Sequence, residues 1–65
     1  MIRLDDWTIM SRTDLYGNAY QRLIGYDSDG KNIMSGKLIK IDLDQGIAID
    51  HYGVIYKLGV KSDVI

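Results

Sequence analysis

The chain contains no cysteine, no proline, no phenylalanine and no glutamate, and every one of its nine acidic residues is aspartate. Disulfides and thiolate-bound metal are therefore excluded, and with them the staples on which domains of this size usually depend. Only two alanines accompany the missing glutamates, so strong helix formers are scarce. Apolar runs never exceed a few residues, too short to span a bilayer. Met1-Ile2-Arg3-Leu4-Asp5-Asp6 lacks the apolar stretch and small-residue cleavage site of an export signal, and a cytoplasmic protein with no membrane partner is expected. Basic runs are missing too. Eight Lys plus Arg stand against nine Asp, a formal net charge of −1, which argues against a strong sequence-independent grip on nucleic acid.

What is present is a strand vocabulary: ten Ile, three Val, two Thr, five Tyr and one Trp in 65 residues. The mix, 46% apolar and 26% charged, is that of one globular domain. A chain this short buries only roughly 60% of the surface it exposes when unfolded, so association into a homo-oligomer is expected to add stability. The expected fold is all-β, a small five-stranded SH3-like barrel or strongly curled antiparallel sheet over residues 1–65, with 1–6 and 60–65 as irregular tails.

Strands are predicted at 7–11, 19–26, 33–41, 47–50 and 54–58, with a short helical turn at 3–7 as the alternative for the start of the chain. Gly17-Asn18, Asp27-Ser28-Asp29-Gly30, Asp42-Leu43-Asp44-Gln45-Gly46 and His51-Tyr52-Gly53 supply the turns. Ser35-Gly36 inside the third strand predicts a bulge or sharp bend. Alternation points Ile47 and Ile49 inward, and likewise Val54, Tyr56 and Leu58, leaving Lys57 to water. With no Phe available, Trp7, Tyr26 and Tyr56 are the large groups expected to fill the core.

Two features invite a chemical reading. Asp27 with Asp29, and Asp42 with Asp44, look like fragments of a calcium loop, but such a loop spreads its ligands over about twelve residues and ends in a bidentate Glu. Turn chemistry accounts for both pairs, and no metal or other cofactor is expected. Asp50-His51 sets a carboxylate beside an imidazole, yet neighbours on a strand point to opposite faces. None of Ser11, Ser28, Ser35 and Ser62 has a nucleophile-elbow context, and Gly17, Gly25, Gly30 and Gly36 are too dispersed for a phosphate loop. An enzyme is not expected.

Asp14-Leu15-Tyr16 followed by Tyr20 resembles the opening of a proline-peptide-binding SH3 domain, whose tryptophan pair and groove proline have no counterpart here. Met34-Ser35-Gly36-Lys37-Leu38-Ile39-Lys40-Ile41-Asp42 is similar to the first half of the Sm motif of RNA-binding ring proteins. Gly46 stands where that motif has its base-contacting Asn, and Lys57-Leu58-Gly59 matches the Arg-Gly of its second half only loosely. The likeness implies strand curvature over 34–42 rather than membership.

The leading expectation is a non-enzymatic interaction module that binds a protein partner, or a second copy of itself, through loop aromatics and a strand edge. Tyr16 and Tyr52 sit beside glycines in loops and should be exposed; with His51 and Asn18 they form the expected partner-binding set. A chain so small and acidic also suits a phage or mobile-element inhibitor of a host complex. The alternative is an Sm-like or OB-like barrel that binds RNA or single-stranded DNA, with bases on the aromatics and Lys31, Lys37, Lys40 and Lys57 along the backbone. A third option is a small-ligand carrier using the barrel mouth.

Overall fold

The computed structural model describes residues 1–63. The all-β expectation is met, and the described residues contain no helix. Six strands form one mixed sheet: β1 (Ile2–Thr13), β2 (Ala19–Tyr26), β3 (Asn32–Met34), β4 (Leu38–Asp42), β5 (Ile47–Asp50) and β6 (Ile55–Leu58). Their order across the sheet is β3-β2-β1-β6-β5-β4. Neighbours are antiparallel except β1 and β6, which run parallel with Ile2, Arg3 and Leu4 opposite Tyr56, Lys57 and Leu58. The sheet is thus neither five-stranded nor purely antiparallel, and it does not close into a barrel, because β3 and β4 remain separate edges.

The first strand departs most from expectation. Asp5-Asp6 interrupts the apolar alternation, which is why the strand was expected to start at Trp7, with residues 1–6 as a tail or helical turn. Instead β1 is continuous from Ile2 and carries a bulge between Asp5 and Thr8, with Asp6 at φ 51°. One extra residue there shifts the side-chain alternation by one position, so that Leu4 and Trp7, an odd number apart, are both buried. Aspartate tolerates that left-handed conformation better than a branched residue would. The chain after β6 is also ordered against β1. The Gly59 amide donates to the Leu4 carbonyl (2.8 Å), the Ser62 amide to the Trp7 carbonyl (2.8 Å), and Lys61 forms a parallel bridge with Trp7. Of the tail expected at 60–65, residues 64 and 65 lie outside the described part.

The predicted third strand, 33–41, is two strands. It breaks at Ser35-Gly36-Lys37, where a bend was expected, and β3 and β4 go to opposite edges of the sheet. The sheet rolls so far that β2 touches β4 although three strands lie between them in sheet order. The link between the edges fastens the roll. The Ser35 amide donates to the Leu23 carbonyl and its Oγ accepts from the Leu23 amide (both 2.8 Å), while the Lys37 carbonyl accepts from the His51 amide (2.8 Å).

The core inside the roll is small: Leu4, Trp7, Leu23, Ala48, Tyr56 and Leu58, with Ile9, Ile33, Leu38 and Val54 packed on it. Trp7, Tyr56 and Leu58 are buried as expected, and Val54 packs on this core. Tyr26 is not a core residue; it pairs with Asp5 and Asn32 and is 42% exposed. Its neighbour Gly25 takes the inward position. A Cβ there would lie 3.1 Å from the Asp5 carbonyl oxygen and 3.1 Å from Trp7 Cβ, so the two strands approach at bare backbone.

The alternation in β5 is also reversed. Ala48 and Asp50 are each 1% exposed, whereas Ile47 and Ile49 lie half-buried on the other face. Ala48 stands opposite the buried Tyr56 and joins the core beside it. Tertiary fit overrides hydropathy here, provided the carboxylate of Asp50 is satisfied.

Candidate functional site

Three hairpin loops share one construction. In Asp14-Leu15-Tyr16-Gly17-Asn18, Asp27-Ser28-Asp29-Gly30-Lys31 and Asp50-His51-Tyr52-Gly53-Val54 the Asp amide donates to the carbonyl four residues on, and the Gly amide donates back to the Asp carbonyl. The Asp Oδ1 accepts from the amides two and four residues ahead, at 2.9 to 3.0 Å in all three loops. The three glycines have φ of 82°, 77° and 83°, the left-handed position such a turn requires. Both Asp27 and Asp42 therefore act in turns: Asp27 as above, and Asp42 by accepting from the Gln45 amide at 3.1 Å. Asp29 and Asp44 are exposed beside them.

The third loop differs in what its aspartate does with its second oxygen. Asp50 Oδ2 accepts from the Gly36 amide (3.0 Å) and from the Tyr56 hydroxyl (2.9 Å). The buried carboxylate thus ties the β5–β6 loop, the Ser35–Lys37 link and β6 together. Burial pushes its pKa up, but hydrogen bonds from Gly36, Val54, Tyr56 and Tyr52 together outweigh this and hold it below the ordinary 3.8. Burial, with the Asp50 hydrogen bond and charge added, pushes the Tyr56 hydroxyl up to about 12. An alkaline absorbance titration should accordingly show one tyrosine ionising near 12, and Tyr56→Phe should remove that step. Because the folded pKa is raised, this contribution to stability is complete below the ordinary value of 10.0 and declines as pH rises from there through about 12.

The same link gathers aromatic rings. A Cβ on Gly36 would lie 2.6 Å from His51 Cδ2 and 2.8 Å from Tyr52 Cδ2, so both rings rest against bare glycine backbone. Their centroids are 4.0 Å apart with an interplanar angle of 45°. On the other side Lys37 Nζ lies 4.8 Å from the Tyr20 ring centroid and 4.0 Å from Asp14 Oδ2, reaching the loop that carries Tyr16 and Asn18. Hydrogen bonds to Asp14, led by the Asn18 amide, outweigh partial desolvation and lower its pKa, with the Lys37 charge adding a little.

Gly36-Lys37 therefore stands between the two loops singled out by sequence. Tyr16 is 90% exposed and Tyr52 76%, as expected of residues beside loop glycines. His51 is exposed too, and Asn18 serves its own turn through its amide and carbonyl. The four lysines do not converge. Lys31 sits in the β2–β3 turn and Lys37 is held by Asp14 and Tyr20. Register puts only Lys40 and Lys57 on one face, in the neighbouring rungs Lys40–Ile49–Ile55 and Asp42–Ile47–Lys57–Arg3.

Asp50, Ser35 and Tyr20 are the site residues that apolar patterning does not reveal. The recurrence of Asp-x-x-Gly at three hairpins is the signal that marks Asp50 as a turn-capping residue. The described residues form no closed barrel and so no barrel mouth; they leave two open clefts, one of about 310 Å³ beside Thr8, Tyr26 and Asn32 and one of about 390 Å³ beside Ser11, Tyr20 and Leu38. Among the described residues no cluster of three or more potential metal ligands occurs, and no helix is long and apolar enough to cross a membrane. No family model, curated protein or solved structure matches the chain.

Proposed function

We propose that the protein is a non-enzymatic, cytoplasmic binding module that engages a protein partner through the end of the fold carrying Tyr16, His51 and Tyr52. The observation that carries this reading is the pairing of extreme exposure with fixed backbone. Two tyrosines 90% and 76% exposed project from loops whose amides are already capped by Asp14 and Asp50. A large aromatic on a pre-ordered turn loses little entropy on binding, which is what makes such residues interface hot spots. Nucleic-acid binding has less support, since Lys31 and Lys37 are separated from the face shared by Lys40 and Lys57.

The test is site-specific photo-crosslinking in the source cell, with a photoreactive phenylalanine analogue placed at 16, at 52 and, as control, at 57. Positions 16 and 52 should capture the same protein and 57 should not. Tyr16→Ala and Tyr52→Ala should each weaken binding to it on the order of tenfold. Thermal stability should stay within about 0.5 kcal/mol, both side chains being surface groups. RNA adducts without protein adducts at 16 and 52 would replace this reading with the nucleic-acid one.

A further inference from the structure

The strand β4 ends one side of the sheet, and among the described residues its only ladder is with β5. An edge of this kind offers unpaired backbone groups to another strand. Its sequence is Leu38-Ile39-Lys40-Ile41-Asp42, followed by Leu43. Lys40 and Asp42 occupy one face of the strand, since they pair with Ile49 and Ile47, and Ile41 occupies the other opposite the buried Ala48. Ile39 and Leu43, which flank this stretch, are 69% and 66% exposed, so the edge carries apolar surface that the monomer leaves in water.

We infer that two copies of this chain associate through β4, antiparallel about a two-fold axis at Ile41. In that register Lys40 of each copy stands opposite Asp42 of the other and Ile41 faces its own symmetry mate, while Ile39 at the bulge and Leu43 in the turn after β4 flank the short ladder. Two cross-strand ion pairs and one central apolar pair result, each a stabilising combination for directly opposed residues. The register shifted to centre on Lys40 would oppose lysine to lysine and leave Asp42 across from Leu38. Charge therefore selects one alignment and disfavours its neighbour. The bulge between Leu38 and Lys40 lies outside the Lys40–Asp42 stretch, and such irregularity limits the contact to a short ladder. Neither Tyr16 nor Tyr52 belongs to this stretch, so the dimer and the aromatic end succeed or fail separately.

Sedimentation equilibrium over rising concentration tests the association, with circular dichroism melts confirming that each variant folds. The wild type should approach twice the 7.4 kDa chain mass. Lys40→Asp opposes aspartate to aspartate at both pairs and should raise the dimer dissociation constant at least on the order of tenfold. The double variant Lys40→Asp/Asp42→Lys restores opposite charges and should recover most of the loss. Register is read separately by oxidative cross-linking, for which the cysteine-free chain provides a clean background. An equal mixture of Lys40→Cys and Asp42→Cys should form the disulfide-linked dimer, whereas either variant alone should form far less. A wild type monomeric at the highest soluble concentration, a double variant as weak as the single, or equal cross-linking by Lys40→Cys alone would each overturn the dimer as described.

Discussion

Asp50→Asn is expected to lower the free energy of unfolding by about 3 kcal/mol, because it disturbs a buried, fully hydrogen-bonded carboxylate while changing almost no volume. In the native loop the two oxygens accept from the amides of Gly36, Tyr52 and Val54 and from the Tyr56 hydroxyl. An asparagine keeps one of those acceptors and turns an NH2 donor toward groups that are donors themselves. At least one buried donor then loses its partner, and the hydrogen bonds that remain are no longer made to a charge. Marginal stability makes that loss large. A domain of this length is worth roughly 3–10 kcal/mol in total. Urea unfolding of the two proteins, followed by circular dichroism, measures the difference. A loss below about 1 kcal/mol would mean that Asp50 does not organise the loop.

The pH dependence supplies an independent reading of the same group. The folded-state pKa of Asp50 lies below its ordinary 3.8, so the stability it contributes is fully present above 3.8 and is lost as pH falls through the lower folded value. Wild-type stability should therefore decline in acid, and Asp50→Asn should decline less steeply. Asp5 and Asp14 account for acid sensitivity that remains in the variant. Both have lowered pKa values, Asp5 chiefly through the Val60 amide and Asp14 chiefly through the Asn18 amide. Because Asp50 holds the backbone under His51 and Tyr52, losing its charge should also disorder the aromatic end before the fold melts. Amide exchange at Tyr52 and Val54 reports that directly.

Trp7→Ala should be at least as damaging, at about 3–5 kcal/mol, the range for removing a buried aromatic. Trp7 is 6% exposed within the core and its Nε1 donates to the Gly59 carbonyl at 3.0 Å, with Lys61 Nζ 5.8 Å from the ring centroid. The side chain thus clamps the segment after β6 against β1 at the point where the Asp6 bulge has bent the strand. Trp7→Phe keeps most of the packing but leaves the Gly59 carbonyl without its donor. That variant should cost about 1–2 kcal/mol. Chemical unfolding monitored by circular dichroism orders the three proteins. Equal stability of Trp7→Ala and wild type would show that the residue 59–62 segment is not held by this clamp.

Composition alone decided the class of structure. The β-branched and aromatic residues, the scarcity of helix formers and the aspartate-glycine clusters made strands joined by tight turns the economical solution. β2 and β5 lie where local patterning puts them, and Tyr16 and Tyr52 are exposed for the reason their sequence suggests, a neighbouring glycine in a turn. The faces of two strands were not decided locally. Hydropathy favours Ile47 and Ile49 for the interior, but Ala48 faces Tyr56, and the burial of Asp50 is completed only when Gly36 of the Ser35–Lys37 link joins the amides of its own turn and the Tyr56 hydroxyl of the next strand. The inward turn of both Leu4 and Trp7 likewise depends on a single bulged aspartate. Local propensity is a sum over neighbours in sequence, so it specifies strands and turns. Which side of a strand is buried, and whether a carboxylate can join the core, depends on partners brought together only when the sheet rolls up.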